Sequence, residues 1–450
     1  MAAVTAESSP HVTRSQRWLA RLSFVLLGLT VAGVGVLAGL KSLTMLAVGL
    51  AGAVVSLAAA YNFLSRRGVL RWLSFAVFVL APVAVIVVYA FRDLLAEAVV
   101  LAAGWLLASM TARLALAGDR PDWRMPEHPA QPPARHPYLI MNPKSGGGKV
   151  EKFDLKRKAE DLGAEVFLIG GPEPVDVAQV ARQAVGKGAD LLGVAGGDGT
   201  QALVAGIAAE HGLPFVVISA GTRNHFALDL GLDREDPAAG LHALSDGVEL
   251  RVDLGVINGQ TFVNNASFGA YAEIVETPAY RGDKVNTTLN TLPDLLQGHR
   301  GAHLRARAGG TEIDGPQALL VSNNPYGTGD IAGLGRRVRL DRGILGVVAV
   351  TVSSAAQAIG LLRGRHATGL SVLTAEKIEI TADTPQIPVG VDGESVMLSV
   401  PVTCTVSPGA LRVWVPHDRP GVPAPKARMD WARLRHLAGF SPPAPIATAS

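Results

Sequence analysis

The chain has 450 residues, of which 48% are hydrophobic, and it also contains 50 glycines, which are not counted among the hydrophobic residues. That apolar share exceeds what a soluble domain usually carries, so part of the chain is expected to lie in lipid. The lone cysteine, Cys404, excludes an internal disulfide. The net charge of +3 combines +6 in residues 1–117 with −3 in the rest of the chain, and a nucleic-acid binder would usually show the opposite bias.

Four runs in residues 1–117 are almost wholly apolar, and each is near the ~20 residues that span a bilayer. The runs are residues 22–40, 43–64, 72–90 and 94–117. A secretory signal peptide has one shorter apolar stretch before a soluble body, whereas here one full-length run follows another. The pattern therefore predicts a membrane region of four transmembrane helices.

The basic residues of this region predict its orientation. Arginines precede the first run and separate the second from the third, while the alternate connections hold only Lys41 and an Arg92 beside Asp93. The positive-inside rule then places both termini in the cytoplasm of a multi-pass cell-membrane protein. The arginines on the predicted inner side are Arg14, Arg17, Arg21, Arg66, Arg67 and Arg71.

A proline-rich linker follows at residues 118–136, where the prolines block helix continuation and favour an extended tether. Within the first apolar run, the spacing of Gly35 and Gly39 would let two helices approach closely, which leaves a homodimer open.

The soluble region begins with a strand, a glycine loop and a charged helix. An apolar strand at residues 138–141 stops at Asn142-Pro143-Lys144-Ser145-Gly146, and residues 150–162 resemble a surface helix. Such a loop can aim backbone N–H groups at phosphate oxygens, helped by a nearby lysine. It lacks the P-loop pattern, and on its own the motif favours a plain turn, because glycines are turn residues first.

Two more polar loops follow strands in the same way. The strands are expected at residues 165–169, 190–195 and 214–219, with helices at 175–185 and 201–210. This alternation predicts a parallel sheet whose sites lie at the carboxyl ends of its strands. Asp198 stands at one such end, where a carboxylate can hold Mg²⁺ on phosphates. The two loops are Gly196-Gly197-Asp198-Gly199-Thr200 and Gly221-Thr222-Arg223-Asn224-His225-Phe226.

These three loops, in this order, resemble the nucleotide-binding motifs of the diacylglycerol kinase catalytic domain, over approximately residues 137–416. The second loop alone is shared with sphingosine kinases, NAD kinases and phosphofructokinases, whereas the ordered trio is more specific. The resemblance implies an α/β nucleotide-binding domain at residues 137–250, a mostly β domain for the lipid substrate at 251–417, and ATP with Mg²⁺ as cofactors. It assigns to the nucleotide the residues Asn142, Pro143, Lys144, Ser145, Gly146, Gly196, Gly197, Asp198, Gly199, Thr200, Gly221, Thr222 and Asn224.

The second half fits this implied β domain. Short β-rich runs separated by turn signals are expected at residues 251–257, 261–265, 318–322, 345–352, 378–381 and 395–406. The family pattern continues at residues 262–269 and 322–327. It continues again at Asp341-Arg342-Gly343, where Asp341 is a second candidate for metal binding.

The element Val391-Asp392-Gly393-Glu394 lies between two of these runs. Alone, Asp-Gly is a hairpin turn signal. The resemblance instead implies that this element supplies the carboxylate that accepts the proton of the lipid hydroxyl, a base that phosphoryl transfer to an alcohol requires. Asp392 and Glu394 share this assignment.

The resemblance implies an ATP-dependent kinase that transfers the γ-phosphoryl group to a membrane lipid hydroxyl, by family default converting diacylglycerol to phosphatidic acid. Sphingoid, ceramide and polyprenol alcohols are alternative acceptors. A soluble-metabolite kinase would leave the membrane region unexplained. Acidic or amide residues of the family are replaced here by His225, Arg342 and the pair Ala202-Leu203, which keeps a non-catalytic lipid or nucleotide-binding membrane protein open.

The tail at residues 418–450 is rich in proline and alanine but contains one helical pattern. Between residues 426 and 440, Trp431, Leu434 and Leu437 share a face opposite Arg428 and Arg435. Such a helix could rest on anionic headgroups, and a partly disordered tail is the alternative.

Overall fold

The computed structural model describes residues 13–38, 41–66, 68–117, 124–171, 175–269, 272, 302–326, 336–351, 370–422 and 429–440. The chain forms two compact units, residues 1–123 with 424–450, and residues 124–423. Predictions that involve Gly39, Arg120, Gly327 or Arg428 lie outside the described residues.

The helices are α1 (Arg14–Ala38), α2 (Lys41–Ser65), α3 (Val69–Phe91), α4 (Leu95–Ala117), α5 (Lys149–Lys152), α6 (Leu155–Asp161), α7 (Val177–Gly186), α8 (Asp198–Glu210), α9 (His225–Asp229) and α10 (Trp431–Ala438), with 3-10 turns at Ser145–Gly147 and Pro237–Leu244. The strands are β1 (His128–Pro129), β2 (Pro137–Met141), β3 (Glu165–Leu168), β4 (Leu191–Ala195), β5 (Pro214–Ile218), β6 (Gly247–Ile257), β7 (Gln260–Phe262), β8 (Asn265–Gly269), β9 (Leu304–Ala308), β10 (Thr311–Asp314), β11 (Ala318–Asn323), β12 (Leu345–Val350), β13 (Leu370–Ala375), β14 (Lys377–Ala382), β15 (Gln386–Val391), β16 (Glu394–Ser399) and β17 (Val402–Pro416).

The first unit contains long apolar helices. Among the described residues, three helices are long and apolar enough to cross a membrane, at Leu43–Phe63, Val69–Phe91 and Leu95–Leu116. Helix α3 buries none of its residues although it is apolar all round, which suits a lipid surrounding. Helix α1 covers the first predicted run as far as Ala38. The unit thus fits a membrane protein, and the number of four spans stays a prediction.

These helices pack in pairs, α1 against α4 and α2 against α3. A Cβ atom added at Gly104 of α4 would lie 2.1 Å from the hydroxyl oxygen of Thr30 on α1, so the missing side chain lets the two helices approach closely. In the other pair, the Tyr89 hydroxyl donates to the Met45 carbonyl over 2.6 Å.

The helix predicted in the tail forms as α10, capped by Asp430, whose carboxylate accepts from the Arg433 N–H. Its apolar face is not left for headgroups, because Leu434 and Leu437 are buried against Ala20 of α1 and Ala112 of α4. Trp431 keeps 44% of its surface exposed, so it lies at the margin of this packing.

The second unit confirms the predicted fold class, an α/β half followed by a mostly β half. Strands β3, β2, β4 and β5 pair in parallel in that order, and β5 pairs in parallel with the end of β17. The start of β17 pairs with β14, so one sheet runs from the α/β half into the β half. The exact domain limits at residues 250 and 417 stay predictions.

A second sheet is antiparallel throughout and has the order β13-β12-β11-β8-β15-β16. Strands β15 and β16 form a hairpin in which Val391 pairs with Glu394, and Val391 also pairs with Ala266 of β8. The predicted turn at Asp392-Gly393 is therefore confirmed as a hairpin turn, and β8 supports it from the side.

Four predicted elements differ from the structure. The helix at residues 150–162 is split into α5 and α6 because Asp154 has a positive φ of 52°. The helix predicted from residue 201 already begins at Asp198. The strand 261–265 is interrupted after Phe262, and the strand 395–406 is interrupted before Pro401, which cannot donate to a ladder.

Candidate active site

The three polar loops meet at the carboxyl ends of β2, β4 and β5, as the parallel sheet predicts. A Cβ atom added at Gly146 would lie 2.3 Å from the Ala220 carbonyl oxygen, so the first loop touches the start of the third. A Cβ atom added at Gly221 would lie 2.8 Å from the Gly196 carbonyl oxygen, so the third loop also touches the second. Contacts this close exclude any larger residue and lock the loops together.

The first loop is shaped for an anion. Gly146, Gly147 and Gly148 have φ values of 56°, 76° and 83°, and consecutive residues of this kind can turn their N–H groups toward one concave side. Lys144 is exposed on this loop and contributes its positive charge there. Lys149 is instead anchored, because its ammonium group donates to the Arg234 carbonyl over 2.7 Å.

The second loop opens helix α8. The residue before the helix, Gly197, makes no side-chain capping bond, so the first-turn N–H groups of α8 have no capping side chain and can face a phosphate. Asp198 is the first helical residue and is buried. Its carboxylate accepts the N–H groups of His225 and Phe226 at 3.3 Å, long bonds that leave acceptor capacity for a cation.

The third loop depends on Asn224, which is fully buried and has a φ of 51°. Its amide oxygen accepts the Gly221 N–H at 2.9 Å, and its amide nitrogen donates to the carbonyls of Ser219 and Gly221. Asn224 therefore shapes the loop from inside, and any action on a nucleotide would pass through the loop backbone. Thr222 is exposed on the same loop.

The turn between β15 and β16 presents Asp392 to a segment of backbone. One carboxylate oxygen accepts the Val263 N–H at 2.8 Å, and the other accepts the N–H groups of Asn264 and Asn265 at 2.8 and 3.0 Å. These bonds interrupt the predicted strand 261–265, because the N–H groups that would continue its ladder point to the carboxylate.

Two opposing influences set the pKa of Asp392. Burial raises the pKa of the carboxyl to about 7, and the nearby charge of Asp198 contributes to the rise, while the three N–H bonds lower it. A carboxyl with a pKa near neutrality is suited to accept and release a proton.

Glu394 is exposed and reaches over the second loop. A Cβ atom added at Gly199 would lie 2.5 Å from Oε1 of Glu394, so the glycine makes room for this carboxylate beside the phosphate loop. Both predicted catalytic residues therefore lie near the second loop. The charge of Asp198 acts on the carboxyl of Asp392, and Glu394 lies directly over Gly199.

Arg337 holds the same backbone segment from the other side. It is fully buried and pairs with Asp229 at 2.6 Å. Its guanidinium also donates to the carbonyls of Val263 and Asn323 at 2.6 and 2.7 Å, and to the side-chain oxygen of Asn264 at 2.6 Å. Burial raises the pKa of Asp229 to about 6 in spite of the adjacent guanidinium, so the pair is charged at neutral pH.

Asp392 and Arg337 therefore fix the segment 263–265 together, because one binds its N–H groups and the other its carbonyl groups. Asp392 takes the N–H ends and Arg337 takes carbonyl ends. Charge-assisted bonds are about twice as strong as neutral ones, and here they act on the same peptide dipoles. We refer to Asp229, Arg337, residues 263–265 and Asp392 as the charge clamp.

Asp341 has a different environment from the one predicted. Both of its oxygens receive the Arg339 guanidinium, at 2.7 and 2.5 Å, which occupies the carboxylate that was a candidate metal ligand. The hub of this region is Asp253, which is buried and accepts the N–H groups of Gly343 and Gly409 at 2.7 and 2.8 Å. Arg342 contributes its backbone N–H, which donates to the side-chain oxygen of Asn324.

Within the part of the chain that the structure describes, no cluster of three His, Cys, Asp or Glu side chains could hold a metal ion. Mg²⁺ on a nucleotide usually needs only one or two protein carboxylates, because phosphates and water supply its remaining ligands. Asp198, with Glu394 over the adjacent Gly199, fits that requirement.

Sequence reasoning missed the charge clamp and Asp253. Asp229 and Arg337 are 108 residues apart, and nothing local distinguishes either residue from a surface charge. The paired asparagines at 264–265 and 323–324 were the available signal, because Asn324 has a positive φ of 68° and buried asparagine amides can replace missing strand bonds.

Comparison with known proteins identifies similar proteins for the region that carries the three loops. A family model described as "Diacylglycerol kinase catalytic domain" matches residues 136–257. A diacylglycerol kinase of Bacillus subtilis strain 168 is 34% identical over 165 residues, which cover 36% of this chain and 53% of that protein. One of Staphylococcus aureus strain JH9 is 29% identical over 272 residues, which cover 57% of this chain and 85% of that protein.

The chain thus spans about half the length of the first of these relatives, 53%. A crystal structure of a Bacillus anthracis str. Sterne protein, provisionally named a diacylglycerol kinase, has a TM-score of 0.50 at 20% identity and covers 64% of this chain and 99% of that one, which shows a shared fold. Residues 136–257, which carry the three ordered loops, thus match the diacylglycerol kinase catalytic domain.

Proposed function

We propose that the chain is an ATP-dependent lipid kinase that transfers the γ-phosphoryl group to a membrane lipid hydroxyl, with diacylglycerol as acceptor and phosphatidic acid as product. The observation that carries the proposal is the position of the Asp392 turn, which faces the phosphate-loop residue Asp198 and places Glu394 over Gly199. The names of the relatives and the apolar helices of the first unit support the same proposal.

The residues divide the work between binding and proton transfer. The nucleotide would supply the phosphoryl group, and Mg²⁺ would neutralise its charge. Backbone N–H groups of the glycine loop and of the α8 N-terminus would hold the phosphates, with Asp198 beside them. Oδ1 of Asp392 already accepts two N–H bonds, whereas Oδ2 accepts only one. Oδ2 therefore keeps a lone pair that can take the proton of the lipid hydroxyl.

A non-catalytic lipid or nucleotide-binding protein is the second candidate, favoured by Ala202, Leu203 and Arg342 at positions where the family carries acidic or amide groups. The carboxyl groups of Asp392 and Glu394 near the second loop favour the enzyme. Turnover by the purified chain separates the two. A homodimer and the absence of a nucleic-acid partner stay predictions.

Asp198→Ala should abolish turnover and weaken Mg-ATP binding. The two bonds that its carboxylate accepts are both 3.3 Å long, so their loss should cost about 1 kcal/mol of stability or less. Calorimetric titration with Mg-ATP and a thermal melt test both statements. Asp161→Ala, at an exposed surface position, is the matched control. Unchanged ATP affinity in the 198 variant would show that the phosphates lie elsewhere.

The pH profile should reflect Asp392. Because its pKa is about 7 and only the ionised form can accept a proton, kcat/KM should fall about tenfold for each pH unit below about 7 and level off above it. Initial rates in buffers of constant ionic strength give the profile. A flat profile across neutrality would contradict the assignment of Asp392 as base.

The membrane topology follows from the arginine bias and from the location of ATP. Reporter fusions at Arg92 should lie outside the cell, and fusions at Arg66 should lie inside. A fusion at Arg120, which is beyond the described residues, should also lie inside. An external reporter at Arg120 would remove the catalytic unit from cytoplasmic ATP and contradict the kinase function.

A further inference from the structure

A groove of about 270 Å³ runs along the outer side of helix α8 and ends at the two carboxylates of the β15–β16 turn. One wall is α8 itself, and the other is formed by the β6–β7 turn and β7. Its lining includes Leu203, Gly206, Gln260, Thr261, Asp392 and Glu394. The groove lies wholly within the second unit and is continuous with the candidate active site.

The α8 wall is apolar where a solvated helix would be polar. Leu203 keeps 43% of its surface exposed and faces this groove, although its neighbours Ala202 and Val204 are buried. Ala202 and Gly206 add no polar group to the same wall. An exposed leucine beside two carboxylates is typical of a binding site that combines an apolar wall with a few oriented polar groups.

The shape of the groove depends on Gly206. A Cβ atom added there would lie 2.8 Å from the hydroxyl oxygen of Thr261, so β7 approaches the helix closely and closes the floor at this point. The far end carries Arg182 and Glu210, whose charged atoms are 4.0 Å apart and exposed. The groove is thus polar at both ends, and between them the apolar side chains of α8 lie opposite Gln260 and Thr261 of β7.

We propose that this groove seats the part of the lipid acceptor next to its hydroxyl, with Leu203 in contact with its methylene groups and the hydroxyl directed to Oδ2 of Asp392. The inference rests on the proposed function. At ~30 Å³ per water, 270 Å³ corresponds to about nine water molecules, which accommodates a glycerol-sized group with a few methylenes and leaves longer acyl chains outside.

The charges at the inner end restrict which lipids can enter. Asp392 and Glu394 line that end, and the side chain of Asp392 is partly exposed there. A phosphate-bearing headgroup would be repelled by these carboxylates, whereas a neutral alcohol would not. The groove therefore favours uncharged lipid alcohols over anionic lipids that also carry hydroxyls.

The sequence permits a direct test of occupancy. The only native cysteine, Cys404, is buried, and burial raises the pKa of its thiol to about 12, so thiol reagents should leave it unmodified. Leu203→Cys then introduces a single reactive thiol into the groove of the full chain. Leu168→Cys on β3 is the matched control, because Leu168 is 38% exposed and does not line the groove.

The rate of maleimide modification is measured in detergent alone, with dioctanoylglycerol, and with dioctanoylphosphatidylglycerol. At a dioctanoylglycerol concentration ten times its Kd, the 203 cysteine should react about tenfold more slowly, because only the unoccupied fraction reacts. The anionic lipid should change its rate by less than about twofold, and the 168 cysteine should be unaffected by either.

Equal rates at residue 203 with and without dioctanoylglycerol would overturn the groove as the acceptor site, and equal protection by both lipids would overturn its preference for uncharged lipids. Occupancy is measured without ATP, so protection without turnover supports the groove and contradicts only the kinase function.

A second measurement uses charge in place of a thiol. Leu203→Glu should raise the lipid KM severalfold with ATP affinity unchanged, whereas Leu168→Glu should leave the lipid KM unchanged. An unchanged lipid KM in the Leu203→Glu variant would contradict the contact between Leu203 and the lipid.

Discussion

Replacing Asp392 with asparagine should lower kcat by ~10² to 10⁴-fold while ATP affinity stays within about twofold. The expected loss has a chemical cause, because an amide cannot take the proton of the lipid hydroxyl. The structure adds a stability cost. The amide nitrogen of asparagine would face an N–H group that Asp392 now accepts, and one unsatisfied donor costs about 1–3 kcal/mol.

Rates must therefore be measured well below the melting temperature of each variant. Glu394→Gln is the matched control on the same hairpin, because Glu394 is exposed and its neutralisation leaves the three N–H bonds to Asp392 intact. We expect the smaller loss for Glu394→Gln. The opposite order would transfer the base assignment to Glu394, and near-normal turnover in both variants would mean that the turn is purely structural.

Arg337→Met should lower the free energy of unfolding of residues 124–423 by ~3–5 kcal/mol, the usual cost of removing one partner from a buried ion pair. Asp229 would be left buried and charged, and the carbonyls of Val263 and Asn323 would lose the guanidinium as a donor. Thermal melts give the total effect. Hydrogen exchange in peptides that cover residues 263–269 should accelerate, because this segment is fixed by the charge clamp.

Two control variants test whether the stability loss comes from the buried charge clamp or from the removal of any ion pair. Arg305→Met removes an ion pair with Asp314 at 3.0 Å in which both side chains are exposed, and it should cost less than about 1 kcal/mol. The double variant Arg337→Met with Asp229→Leu should regain part of the loss, since an apolar pair no longer buries a charge. An Arg337→Met protein as stable as the parent would contradict the clamp.

The sequence was informative where function depends on residues close together in the chain. Each nucleotide loop directly follows a strand, and parallel strands bring such loops to one edge, so the meeting of Gly146, Gly196 and Gly221 followed from alternation alone. The helix that begins at Asp198 was placed three residues late, because glycines 197 and 199 are poor helix formers and obscured the helix start.

Contacts between distant segments could not be predicted. The break after Phe262 arises because Asp392, about 130 residues later, takes the N–H groups of the strand. The partner of Arg337 and the guanidinium that occupies Asp341 were equally hidden, since charge pairing in the interior leaves no periodic pattern. The tail helix was recognisable from its apolar face, but the packing of that face on α1 and α4 was not.

The most direct test of the central claim is incubation of the purified full chain with γ-³²P-labelled ATP, Mg²⁺ and mixed vesicles that contain diacylglycerol. We predict a labelled lipid that migrates as phosphatidic acid with the parent protein, and a loss of that product by ~10² to 10⁴-fold with Asp392→Asn. A parent protein that binds ATP but labels neither diacylglycerol nor any lipid of a total membrane extract would contradict the kinase function and favour the non-catalytic candidate.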